Sequence, residues 1–196
     1  PCSRAQSRWH RWWTRLPAIP ESAMAKPRTP PERSGFQCAQ CGQWHDELLT
    51  DIACGLPDAV FALGYLERYR RARFNPDFCT LDETRHFIRC VLPVPFTHRD
   101  DYFGWGVWVE VDGATHELCL QLFDTEGAAA VPHLQGTLAN ELKAYRQTAG
   151  LPVRIELSDE HRPLVYLRPA SRHALALEQR RGIDEPRHHA LAAPYL

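Results

Sequence analysis

The sequence predicts an α+β fold: a single domain with a mainly antiparallel sheet flanked by helices, entered through an N-terminal Cys-x-x-Cys knuckle. Three observations carry this expectation. The string FGWGVWVEV (residues 103–111) alternates without a break, Phe103, Trp105, Val107, Val109 and Val111 on one face and Gly104, Gly106, Trp108 and Glu110 on the other, as a central strand requires. The runs PVRIEL and PLVYL, joined by the charged turn SDEHRP, read as two further strands close together in the chain. Helical patterns stand beside these local strand runs and do not alternate with them one by one, which separates α+β from a doubly wound parallel fold. A chain of 196 residues with 44% hydrophobic and 24% charged residues has the composition of an ordinary globular domain.

In chain order, residues 1–35 are expected to be a disordered extension outside the fold. They carry 7 Lys+Arg against 2 Asp+Glu, show no apolar signal-peptide core, and hold the only methionine, Met24, as a candidate initiator. Residues 36–196 form the domain, with 16 Lys+Arg against 22 Asp+Glu. This acidic body lacks a broad phosphate-neutralising surface, so nucleic acid is not an expected partner. No stretch reaches the roughly 20 apolar residues of a membrane span. The expected protein is soluble and cytoplasmic, its seven cysteines serving as reduced thiols or metal ligands.

FQCAQCGQWHDEL (36–48) reads as two short extended pieces around a turn, with Gly42 supplying positive φ. Pro57 and Asp58 open an amphipathic helix in which Val60, Phe61, Leu63 or Gly64, Leu66 and Tyr69 share a face, ending near Asn75 and Pro76. FCTL and HFIRCVLPVPF read as strands, with Pro93 and Pro95 forcing an edge position or an exit from the sheet. ATHELCLQLFD fits either period and is read as a helix capped by Thr115 and stopped at Gly127. A mixed element follows around Gly136 to Tyr145. Ser171 can cap a short helix closed by Gly182, and Asp184 a last one through His188 and Leu191.

Several of these strings together resemble a bacterial family catalogued as domain of unknown function 2199: FQCAQCGQWHDEL, DFCTLD (77–82), HFIR (86–89), FGWGVWVEV, and RPLVYL with HALALEQRRGI (162–183). The resemblance implies a compact bacterial domain and supplies no catalytic residues. The chain departs from the family's pattern where Thr84 and Arg85 precede His86, and where Arg154, Ile155 and Glu156 replace a His-rich strand.

The Cys-x-x-Cys-Gly turn spaces two thiolates as a tetrahedral zinc ion requires. The expected ligand set is Cys38, Cys41, His45 and Cys79, with Cys90 as the alternative to His45; buried inert cysteines are the competing reading of Cys38 and Cys41. A thioredoxin-like redox pair would sit at a helix start, and Gly42 and Trp44 follow here instead. Cys54 and Cys119 read as core residues. Trp108, beside Gly104 and Gly106, is expected to border a groove for a small ligand or a peptide. The scattered acid–base candidates form no catalytic motif, and no nucleophile elbow, phosphate loop, dinucleotide fingerprint or His-Glu-x-x-His is present. The favoured expectation is a non-enzymatic binding or regulatory module stabilised by structural zinc, with an unidentified protein or small-molecule partner. The alternative is a metal-dependent hydrolase with three protein ligands and an open zinc position, and a third reading is a metal-free thiol sensor using Cys38 and Cys41.

Overall fold

The computed structural model describes residues 36–38, 42–45, 48–123 and 125–195; the extension expected over residues 1–35 lies outside them. Among the described residues ten strands and five α-helices follow one another: β1 (Phe36–Gln37), β2 (Trp44–His45), β3 (Asp51–Ala53), α1 (Asp58–Phe61), α2 (Tyr65–Arg71), β4 (Ala72–Phe74), β5 (Phe78–Leu81), β6 (Arg85–Pro95), β7 (Tyr102–Val111), α3 (Gly113–Leu122), β8 (Leu134–Leu138), β9 (Pro152–Glu156), β10 (Leu164–Leu167), α4 (Ala174–Arg181) and α5 (Glu185–Ala192).

The α+β class holds, but the sheet is mixed and it closes. Strands β6, β7, β8, β9 and β10 form a five-stranded barrel, because β6 bonds β7 along its whole length and also receives β10 in parallel at Val91. β5 and β4 extend the sheet from β6, and β3 joins β7 in parallel. The two long strands make the closure possible. An antiparallel ladder from His86–Val111 to Pro95–Tyr102 accumulates enough right-handed twist to bring the far strand round.

The alternation read in residues 103–111 is realised. Phe103, Trp105, Val107 and Val109 point into the main core with Ile88, Cys90, Leu92 and Val94 of β6. The opposite face holds a smaller core of Val60, Ala72, Cys79, Leu81, Phe87 and Trp108.

Pro93 does not expel β6 from the sheet. It pairs with Gly104 in the middle of the strand, and β10 bonds β6 only at Val91. The gap is filled by a side chain of α4: the Gln179 amide donates to the carbonyls of Pro93 (3.2 Å) and Val165 (2.9 Å) and accepts from the Leu167 amide (2.8 Å). Gln179 thereby replaces the ladder bonds that a proline cannot make.

The single helix expected after Pro57 is instead two short helices and a strand. α1 ends at Phe61, Gly64 is extended (φ −62°, ψ 160°) and caps α2, and the chain turns into β4 at Ala72. Only Val60 of the expected apolar face is buried. The helix after β7 is capped by Asp112, whose carboxylate accepts from the Thr115 amide (2.7 Å); Thr115 is the recipient and not the cap, and the helix ends at Leu122, before Gly127. The mixed element around Gly136 resolves into β8. His173 caps α4, while Ser171 accepts from the His173 amide one step earlier. Gly182 (φ 78°) closes α4 and Asp184 caps α5, as the sequence indicates. No helix among the described residues is long and apolar enough to cross a membrane.

Candidate metal centre

β1 and β2 pair as a short antiparallel hairpin, Phe36 opposite His45 and Gln37 opposite Trp44. Its turn is closed by the Cys38 amide donating to the Gln43 carbonyl (2.7 Å) and the Gly42 amide to the Cys38 carbonyl (2.8 Å), with Gly42 at φ 71°. A side chain would strain that left-handed position, which explains the glycine. Cys41 lies outside the described residues.

The hairpin meets the far end of the domain. Helix α5 is started by Asp184, which accepts from the Arg187 amide (2.9 Å), and by Pro186 in its first turn. His188 anchors it: the ring is 2% exposed, lies 4.5 Å from the Phe96 ring, and its Nε2–H donates to the Leu49 carbonyl at 2.8 Å. The next residue, His189, then faces the hairpin, its ring 5.8 Å from that of His45 and tilted by 65°.

The outcome is a three-residue cluster. Cys38 Sγ and one ring nitrogen each from His45 and His189 lie within 4.8 Å of one another. Zn–S near 2.3 Å and Zn–N near 2.1 Å set tetrahedral ligand atoms about 3.4–3.8 Å apart, so an ion would draw these groups together by at most about 1.4 Å. His189 Nε2 is buried with no hydrogen-bond partner among the described residues, a costly state for a polar nitrogen.

Two of the sequence-predicted residues, Cys38 and His45, are thus brought together, and the third described member of the cluster is His189, where Cys79 was expected. Cys79 sits on β5 between Phe74 and Phe87 and is 1% exposed in the smaller core, where burial pushes its thiol up to about 11. Cys90 is wholly enclosed in the barrel, and burial, then the neighbouring Cys119, holds its thiol well above the ordinary range. Both behave as apolar core residues. Trp108 does not border a groove. It is 1% exposed, Arg89 lies 5.4 Å over its ring, its indole N–H donates to the Cys54 carbonyl (3.3 Å), and the space beside Gly106 is taken by Ala53.

Sequence reasoning ran a last helix, capped by Asp184, through His188 and Leu191 and passed over His189. The signal available was His-His directly after a strong cap, since only one of two adjacent helical residues can face the core and the other must point aside.

The buried histidines make the fold acid-sensitive. Burial holds His188 below the usual imidazole range despite its bond to Leu49; burial, then the adjacent His86, does the same to His116, whose Nε2 has no partner among the described residues. A base whose folded pKa is depressed binds its proton more readily in the unfolded chain. Its contribution is therefore present above the ordinary value of 6.5 and lost as the pH falls below it. Melting temperature is expected to be flat from pH 8 to 7 and to fall below about pH 6.5, with a shallower fall in His116→Phe; scanning fluorimetry across a pH series checks it.

Searches among curated proteins and among solved structures gave no significant match. A family profile described as an uncharacterized protein conserved in bacteria matches residues 37–183, three quarters of the chain, spanning the hairpin, the barrel and α4. The chain therefore belongs to the DUF2199 family of bacterial proteins.

Proposed function

We propose that the protein is a non-enzymatic binding or regulatory module of the bacterial cytoplasm whose hairpin and last helix are fastened together by one structural zinc ion. The supporting observation is the cluster of Cys38, His45 and His189 within 4.8 Å of one another, with the His189 Nε2 unpartnered among the described residues. Cys41 stands at the Cys-x-x-Cys spacing and is the fourth ligand in this reading. Two thiolates and two imidazoles suit zinc by softness and geometry. Four protein ligands leave no coordination position for substrate, so the ion contributes folding energy and not chemistry. Its place is topological: it joins the start of the domain to the end.

The test is zinc content by elemental analysis. Wild type and Cys79→Ser are expected to carry one zinc per chain, and Cys38→Ser, Cys41→Ser and His189→Ala to lose it. Zinc kept in His189→Ala but lost in Cys79→Ser would refute the assignment. Zinc kept in Cys41→Ser, with a water-derived fourth ligand, would turn the site into the open, hydrolase-type centre.

A further inference from the structure

Helix α2 buries none of its seven residues. An isolated helix of that length is unstable in water, and helices in proteins owe their stability to packing an apolar face. What holds α2 here is polar: Arg68 reaches back to the carbonyls of Val60 (3.2 Å), Phe61 (2.8 Å) and Leu63 (3.0 Å) at the end of α1, Arg73 donates to the Tyr69 carbonyl (3.1 Å), and Arg71 pairs with Asp82 (2.7 Å). The apolar residues that its sequence offers to a core are turned to solvent. Phe61 is 68% exposed, Tyr65 82%, Leu66 63%, Tyr69 74% and Phe74 51%, five large apolar side chains within fourteen residues. Such a concentration marks an interaction surface. Tyr65, Tyr69 and Phe74 wall a shallow depression of about 490 Å³ floored by Arg68, Ala72 and Arg73. The neighbouring strand β4 is the last of its sheet and, among the described residues, is bonded only to β5.

Charge identifies the occupant. Residues 61–74 contain Arg68, Arg70, Arg71 and Arg73 against Glu67 alone, on a domain whose charged residues otherwise favour acid. Arg71 is matched by Asp82 (2.7 Å), while Arg70 makes no ion pair among the described residues. Residues 1–35 of the same chain carry a net +5 and would be repelled. A second copy docking symmetrically would set these arginines against one another. A nucleic acid would extend beyond the patch onto the acidic body. We infer that α1, α2 and β4 form a docking surface for an acidic segment of a partner protein, its carboxylates meeting Arg70 and Arg73 and its apolar side chains seated between Tyr65, Tyr69 and Phe74. This surface is independent of the metal centre.

The test is selection of a phage-displayed library of random peptides on the immobilised full chain, followed by fluorescence anisotropy with the best enriched peptide. Enriched peptides are expected to combine Asp or Glu with aliphatic or aromatic residues. Affinity should fall at least tenfold in Tyr69→Ser and in Arg70→Glu, with melting temperature unchanged because both side chains are exposed, and stay unchanged in Tyr102→Ser. Enrichment of neutral or basic peptides, or binding indifferent to Tyr69→Ser and Arg70→Glu, would overturn the inference. So would displacement of the peptide by oligothymidylate at lower concentration than by the unlabelled peptide, or self-association in sedimentation that the same variants abolish.

Discussion

On the proposed zinc reading, a chelator is expected to lower the melting temperature by about 6–20 °C without unfolding the barrel. Structural zinc supplies about 10–16 kcal/mol to zinc-finger peptides that have no other core. Here the barrel interior of Phe103, Trp105, Val107 and their partners is assembled from strands that the ion does not touch. The ion's contribution is therefore the cost of releasing the hairpin and α5, about 3–5 kcal/mol, and for a domain of this size each kcal/mol corresponds to about 2–4 °C. Hydrogen exchange should locate the loss. Amides of β1, β2 and α5 are expected to lose protection in the chelated protein, while those of β6 and β7 keep theirs. An unchanged melting curve, with zinc removed, would mean the ion fastens nothing.

Gln179→Leu is expected to cost about 3–5 kcal/mol, as large an effect as any single core truncation. The substitution keeps the volume and removes three hydrogen bonds, leaving the Pro93 and Val165 carbonyls and the Leu167 amide buried without partners. Each such group costs about 1–3 kcal/mol. Gln179→Glu distinguishes this account from a packing effect. The carboxylate can accept from Leu167 but cannot donate to two carbonyls, and burial disfavours its charge. Its stability deficit should shrink as the pH falls and the acid regains a donor, opposite to the wild-type trend set by His116 and His188. Urea denaturation at pH 7 and pH 5 measures both.

Gln179 also shows where sequence reasoning stops. Period-two alternation identified the two faces of β7, and caps at Asp184 and Gly182 located α5 and the end of α4, because those signals are written within a few residues. Barrel closure is not local. It depends on β10 reaching Val91 of a strand some seventy residues earlier, and on a glutamine from a third element repairing the ladder at Pro93. Proline alone therefore read as an edge position or an exit from the sheet.

The same division applies to the site. The Cys-x-x-Cys-Gly turn and His45 are legible from spacing and from the positive φ of Gly42. His189 is not, since nothing in its own segment names a partner at the opposite end of the domain. Cys79 was attractive because it lies in a string shared with the family, yet its strand register sets it between Phe74 and Phe87 in the smaller core. The groove expected at Trp108 fails for a related reason. Absent side chains at Gly104 and Gly106 leave space, and β3, whose pairing is set by tertiary structure, fills it with Asp51 and Ala53. The helix after Pro57 failed in the other direction: its apolar periodicity is real, but the face it defines is turned outward.

Zinc K-edge X-ray absorption on the purified full chain tests the central claim most directly. The account predicts one tightly held zinc with two sulfur neighbours near 2.3 Å and two imidazole nitrogens near 2.0–2.1 Å, and no zinc absorption edge from His189→Ala. A chain that binds no zinc as isolated, or a shell containing three sulfurs or only nitrogen and oxygen, would contradict it.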